Sequence, residues 1–320
     1  MNKQRDYNNN SIYWESYQRF FPEEIQLKEN NLPIEEWWQW NNSEIHLDRL
    51  PAPESPLKIV LVHGAGGNGR LFAPYGKLLQ KHGYEMLAPD LPPYGLSQLS
   101  PPSRTIRYED WIQLLVDLVE SEYKRDGKPI VLLGASIGGM LAYHVAARSP
   151  YVQGLIATTF VDTSDAAMRL QLAPNKYVAV YGKWLMDAFP ILLDSFRLPV
   201  SKVSRMNLIA NHPELAQLIM EDPRAAATRV PLKLLRTFLN MTPEVQPENF
   251  NSCPVLLVHP EADPMTPYAF SESFYNRLAC PKKLVLLEGA GHFPIEQPGL
   301  EQLSAAVLQF LANLASTTAK

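Results

Sequence analysis

The stretch IVLLGASIGG at 130–139 decides how the rest of the chain is read. Ile130-Val131-Leu132-Leu133 is a continuous apolar run, the pattern of a strand buried on both faces. Gly134-Ala135-Ser136-Ile137-Gly138 follows without a spacer, and Ile137–Arg148 then reads as a helix that stops before Pro150. Strand, sharp turn and helix form the context in which a G-x-S-x-G pattern lifts a serine hydroxyl into the open. Bulky side chains two residues before and after that serine would collide, and glycines at 134 and 138 remove them. The helix N-terminus behind Ser136 favours negative charge developing beside it. Taken alone, the pattern also suits a helix-capping serine, so the reading rests on its surroundings.

Working outward, apolar runs alternate with helical segments. Leu57–Val62, Tyr84–Ala88, Pro129–Leu133, Gly154–Thr159, Pro254–His259 and Lys283–Leu287 read as strands. Phe72–His82, Arg107–Tyr123, Ile137–Arg148 and Leu300–Leu314 read as helices. This alternation predicts an α/β fold with a mostly parallel sheet and helices on both faces. Between about Thr163 and Phe250 the rhythm fails. No strand pattern appears there, and Pro174, Pro190, Pro199, Pro213, Pro223 and Pro231 divide several helical pieces. A structureless loop of that length would be unusual. The segment is therefore expected to be an inserted helical cap, with Tyr177, Tyr181, Trp184, Met186, Phe189, Phe196, Met206, Met220 and Phe238 packing mostly inward. The expected organisation is a lead-in with leading antiparallel strands over 1–50, a core over 51–162 and 251–320, and the cap over 163–250. Tyr13, Trp14, Tyr17, Phe20 and Phe21 of the lead-in are expected to pack on the body, with a partner or lipid contact as the alternative.

Composition narrows the function classes. The 320 residues are 46% hydrophobic and 19% charged, enough for a sizeable core. A net charge of −4 leaves no broad basic surface for nucleic acid. Cys253 and Cys280 are too few for a disulfide framework and read as small buried hydrophobes. No run of roughly 18 apolar residues suggests a membrane span, and the polar N-terminus lacks a leader-like apolar run. A soluble, cytoplasmic protein is the expectation. No cluster has metal-ligand spacing, so neither a metal nor an organic cofactor is expected.

Three further features bear on Ser136. His63-Gly64-Ala65-Gly66-Gly67 directly follows the first buried strand. A tetrahedral intermediate needs two fixed N–H donors. Ile137 and Ala65 are the candidates, and only their backbone is needed. The phosphate-loop patterns are incomplete here, and His63 reads as a structural brace of the loop. A serine at neutral pH also needs a histidine to take its proton. His292, in a glycine-rich loop after the sixth strand, falls at the same carboxyl edge of the sheet as Ser136. His259 is the rival, while His46, His82, His144 and His212 fall elsewhere. Asp263, in a proline-stiffened loop after the fifth strand, is the candidate acid to orient His292. Asp162 is the alternative and Glu261 a weaker substitute.

Together these residues resemble the α/β-hydrolase superfamily from about Leu57 to Leu314. HGAGGNGR at 63–70 and GASIGG at 134–139 are similar to the monoacylglycerol-lipase and lysophospholipase branch, with Ala135 where histidine is frequent. DLPPYGLS at 90–97 resembles a family turn, with Pro93 in place of a glycine, and reads as structural support for the serine turn. The resemblance implies ester hydrolysis through an acyl-enzyme. Ser136 would attack, His292 relay protons, Asp263 orient His292, and Ala65 and Ile137 bind the oxyanion. The implied partner is a small-molecule ester, apolar and possibly lipid-derived. Serine rather than aspartate at the nucleophile argues against the dehalogenase and epoxide-hydrolase branches. A thioesterase, a carbon–carbon bond hydrolase, a perhydrolase and a non-catalytic ligand receptor stay open as alternatives.

Overall fold

A computed structural model of the chain describes residues 6–9, 11–28, 31–101 and 105–318. The outermost residues of the expected lead-in and closing core lie outside the described residues. The strands are β1 (Ile34–Trp40), β2 (Ser43–Leu50), β3 (Lys58–Val62), β4 (Glu85–Pro89), β5 (Ile130–Gly134), β6 (Val152–Ala157), β7 (Arg197–Pro199), β8 (Arg229–Pro231), β9 (Val255–Pro260) and β10 (Lys282–Leu287). Eight of them form one sheet in the order β1-β2-β4-β3-β5-β6-β9-β10. The β1–β2 and β2–β4 pairs are antiparallel, and all later neighbours run parallel. β3, β4, β5 and β9 are buried along their whole length, as their largely apolar sequences favour, and the charged Lys58 and Glu85 at the starts of β3 and β4 are ion-paired with Glu122 and Arg49.

Helices Gly69–Gln80, Tyr108–Asp126, Ile137–Arg148 and Gly299–Thr318 pack in this framework. In the second of these, Trp111, Leu114, Leu115 and Leu118 are buried together, the inward stripe of an amphipathic helix. The first begins three residues before the expected Phe72, because Asn68 caps it by accepting from the Leu71 N–H at 3.1 Å. Two helices escaped the sequence reading: Ser11–Gln18 in the lead-in and Tyr268–Arg277 between β9 and β10.

The segment 163–250 holds short helices and also the two-stranded ribbon β7–β8, where the sequence reading expected no strand. The expectation that its large apolar groups pack inward needs correction. Met186, Met206 and Phe238 are buried, but Tyr177, Tyr181, Trp184, Phe189 and Phe196 are exposed. These helices, of four to nine residues and each closed by a proline or a turn, bury few side chains, and Pro190–Leu193 buries none. The buried places go to groups such as Met186 and Val200, and the five exposed aromatic groups are left outside. The lead-in behaves as expected. Trp14, Tyr17 and Phe21 are buried in the main core, and the Tyr13 and Tyr17 hydroxyls donate to Asp222 at 2.7 and 2.8 Å. Cys253 and Cys280 are buried free thiols.

Beneath the lead-in lies a buried ionic network. Arg70 donates twice to Asp48, at 2.6 and 2.8 Å. His46 sits 3.0 Å from Glu35 and 3.1 Å from Asp90. Glu35, His46 and Asp48 are grouped closely enough to suggest metal ligands. Arg70 and the backbone N–H groups of Tyr7 and Asn8 already meet much of that negative charge. Burial alone would lower the His46 pKa, but Asp90, Glu35 and Asp48 outweigh it and push it up to about 10. A raised folded-state pKa contributes stability that is complete below about 6.5 and is lost as pH climbs towards 10. Urea midpoints of the wild type are therefore expected to fall between pH 6.5 and 10. In His46→Gln the fall should be shallower, from a lower starting value. A parallel pH dependence in both proteins would contradict the charge assigned to His46.

Candidate active site

β3 and β5 are paired so that Val62 lies opposite Gly134. This register puts the glycine-rich loop after β3 beside the turn after β5. The Ala135 N–H donates to the Val62 carbonyl at 3.0 Å. At the apex Ser136 has φ 56° and ψ −126°, a conformation that L-residues rarely adopt and that costs roughly 1–3 kcal/mol. A Cβ at Gly134 would come within 2.1 Å of the Gly138 carbonyl, and one at Gly138 within 2.1 Å of the Val62 carbonyl. Gly139 is equally constrained, since its Cβ would lie 2.1 Å from the Thr159 carbonyl. The Ser136 side chain makes no capping bond to the helix it precedes, so the helix-cap alternative has no support in the geometry.

The loop at 63–67 is braced from behind. The Leu91 N–H donates to His63 Nε2 at 2.8 Å, leaving the His63 Nδ1–H to donate to the Gly64 carbonyl at 2.8 Å. Burial lowers the His63 pKa and favours this neutral ring. Asp90 accepts from the Gly69 and Leu96 N–H groups at 2.6 and 2.7 Å. The turn at 90–97 thus supports the 63–70 loop, whereas the sequence reading assigned it to the serine turn. Among the described residues, neither the Ala65 nor the Ile137 N–H has a protein acceptor. Both residues border the same cavity as Ser136.

Asp263 and His292 come together from the loops after β9 and β10. The Glu261 and Ala262 N–H groups tie these loops by donating to the Leu287 and Ala290 carbonyls, each at 3.0 Å. His292 Nδ1 lies 2.8 Å from Asp263 Oδ2. Asp263 also accepts from the Met265 and Thr266 N–H groups and from the Thr266 hydroxyl, at 2.8, 2.9 and 2.7 Å. Burial would raise its pKa, but His292 and Thr266 outweigh burial and hold the carboxyl well below the usual range. Ser136 and His292 border one cavity, yet no hydrogen bond joins them in this structure.

The rival residues lie elsewhere. Asp162 binds the N–H and hydroxyl of Ser164 at 2.9 and 2.6 Å, and Glu261 is exposed. His259 is buried, with Nδ1 2.9 Å from the Pro260 carbonyl. Burial drives the His144 pKa down to about 4, His212 meets the edge of Phe20, and His82 is exposed. Sequence reasoning missed two hydroxyls. Thr158 Oγ1 accepts the Ser136 N–H at 3.2 Å, and Thr266 holds Asp263. The second left a signal, since Asp263-Pro264-Met265-Thr266 is a short side-chain-closed turn. The first left none.

Two cavities meet at Ser136 and Ala65. One, of about 40 Å³, borders His292, Phe72, Ile209 and the 64–67 glycine loop. The other, of about 350 Å³, lies among Ile137, Met186, Leu235, Phe238 and Met265, and His292 does not line it.

A family model described as "Alpha/beta hydrolase family" matches residues 59–303. A pimeloyl-[acyl-carrier protein] methyl ester esterase of Xylella fastidiosa is 24% identical over 272 residues, covering 80% of this chain and 95% of the relative. The Xanthomonas oryzae protein of the same name is 38% identical over 111 residues, which span 33% of this chain and 40% of that relative. Among solved structures, the monoacylglycerol lipase of Paleococcus ferrophilus superposes with a TM-score of 0.69 at 23% identity, over 85% of this chain and 99% of that one. A monoglyceride lipase variant from Saccharomyces cerevisiae gives 0.72 at 17% identity, over 92% and 98%.

The backbone at 136 makes a distinctive demand on stability. Glycine tolerates φ 56°, ψ −126°, whereas alanine does not. Ser136→Gly is expected to be more stable than Ser136→Ala by about 1 kcal/mol or more. Urea denaturation of the two variants measures this, and alanine equal to or above glycine would refute the strained turn.

Proposed function

The chain belongs to the alpha/beta hydrolase family, and from that premise we propose that it hydrolyses carboxylic esters through an acyl-enzyme on Ser136. One observation carries the reading. Ser136 shares a cavity wall with His292, whose Nδ1 is held by Asp263, and a second cavity with Ala65 and Ile137, whose N–H groups meet no protein acceptor among the described residues. In this reading Ser136 Oγ attacks the ester carbonyl and passes its proton to His292 Nε2. The Ser136–His292 hydrogen bond forms when substrate engages, since such bonds are often open in the free enzyme. The Ala65 and Ile137 N–H groups take the charge on the carbonyl oxygen. His292 then protonates the departing alcohol and next draws a proton from the water that releases the acid. Asp263, held ionised by Thr266 and His292, keeps Nδ1 protonated so that Nε2 is free to accept.

The cavities give this reaction a direction. The leaving alcohol must lie near the histidine that protonates it, and His292 borders only the smaller of the two cavities that meet at Ser136. The alcohol side therefore has about 40 Å³ and the acyl side about 350 Å³. The favoured substrate is an ester of a small alcohol with a substantial apolar acid, and residues 163–250 serve as the cap that encloses the acyl chain. The relatives named as methyl ester esterases support this division.

Acid release in a pH-stat from methyl esters of increasing chain length tests the proposal. Turnover is expected in the wild type, with kcat/KM at least about a thousandfold lower in Ser136→Ala and in His292→Ala. A loss of only a few-fold in either would sink the assigned roles. Methyl esters should also exceed glycerol monoesters of the same acid by about tenfold in kcat/KM. Equal or better use of the glycerol esters would contradict the assignment of the alcohol side.

A further inference from the structure

Another cavity, of about 30 Å³, adjoins the alcohol side of the site. Phe72, Ala135, His292 and Phe293 border both spaces. The helices Gly69–Gln80 and Gly299–Thr318 and strand β5 supply further walls, among them Tyr75, Leu79, Leu133 and Val307. The polar residues that border this cavity are already engaged. Thr158 Oγ1 accepts the Ser136 N–H, and the Tyr75 hydroxyl donates to the Pro294 carbonyl at 3.1 Å. His292 Nδ1 is held by Asp263, and the proposed reaction commits Nε2 to the ester oxygen. A buried water needs two to four polar partners, and a buried hydroxyl without a partner is costly. The cavity therefore suits alkyl carbon.

Ala135 stands on the boundary of the two spaces. Its neighbours Gly134 and Ser136 are buried, whereas Ala135 is half-buried. Its methyl group is the smallest side chain among the four shared residues, so the size of residue 135 controls how far the spaces communicate. His292 borders both, and the oxygen that it protonates lies beside it. Carbon atoms beyond that oxygen thus start at the junction.

We infer that the cavity receives the alkyl end of the leaving alcohol past Ala135, so that Ala135 determines alcohol size and the substrate is an ester of a short unbranched alkyl alcohol. The inference rests on the ester-hydrolase reading and names the alcohol class for it. Roughly 10–15 Å³ of such space admits one group of water size, so about two or three carbon atoms fit beyond the first, as in n-propyl and n-butyl. A polar alcohol of the same length would carry its hydroxyl into a space with no partner for it.

The test compares methyl, n-propyl, n-butyl and 3-hydroxypropyl esters of one acid in the wild type, Ala135→Val and Val307→Leu. In the wild type the n-propyl ester should exceed the methyl ester about tenfold in kcat/KM, since each buried methylene is worth several-fold. The 3-hydroxypropyl ester should gain nothing over methyl. The two variants fill the cavity from opposite walls, and each should bring the propyl-to-methyl ratio to within about threefold of one. Turnover of the methyl ester shows which variants remain folded, and Val307→Leu alters no neighbour of Ser136 in the chain. A wild-type ratio at or below one would overturn the inference alone. So would a ratio unchanged in every variant that still turns over the methyl ester, the cavity then being a packing void. No ester turned over by the wild type would overturn the ester-hydrolase reading and this inference with it.

Discussion

The site depends on one backbone constraint, the turn that lets β5 pass directly into a helix at Ser136. The packing is close enough that the carbonyls of Gly138, Val62 and Thr159 occupy the places where side chains would stand at Gly134, Gly138 and Gly139. It holds Ser136 at φ 56° at a cost of roughly 1–3 kcal/mol, which the buried strands on either side must outweigh. The same turn leaves the Ile137 N–H, at the start of the helix, without an acceptor among the described residues and points the Ser136 N–H to Thr158. Pairing of Val62 with Gly134 brings the second free N–H, that of Ala65, to the same place. Loosening any of these would shift the hydroxyl relative to the donors.

Much of this was legible in the sequence, for identifiable reasons. A strand buried on both faces is mostly apolar, so the stretches Ile59–Val62, Ile130–Leu133 and Val255–Val258 of β3, β5 and β9 stood out. Loops after parallel strands gather at one edge, so Asp263 and His292 could be placed near Ser136 from chain order alone. What was missed depends on tertiary contacts or on elements too short to show a period. β7 and β8 have three residues each, below any alternation pattern. The helix Tyr268–Arg277 mixes polar and apolar groups without a clean stripe. Thr158 reaches Ser136 only because β6 lies beside β5. The exposed Tyr177, Tyr181 and Trp184 could not be told from core residues by composition, since aromatic groups suit either place.

Charge is distributed with equal consequence. The strongly ionic cluster around His46, Asp48, Glu35 and Arg70 is buried behind the loop at 63–70, and Asp90 links the two. It makes the lead-in part of the platform that positions Ala65. In front of that loop the surroundings are apolar, apart from His292, Asp263 and Arg169. The contrast sets a buried polar support behind the loop against largely apolar walls in front of it, and under the proposed mechanism fixed dipoles act most strongly in such surroundings.

The central claim is that Ser136 is the nucleophile. The most direct measurement is covalent capture by a fluorophosphonate, read by intact mass and by peptide mapping. The account expects one adduct per chain, on the peptide that carries Ser136, and none in Ser136→Ala. Equal labelling of that variant, or an adduct mapped to another residue, would contradict it.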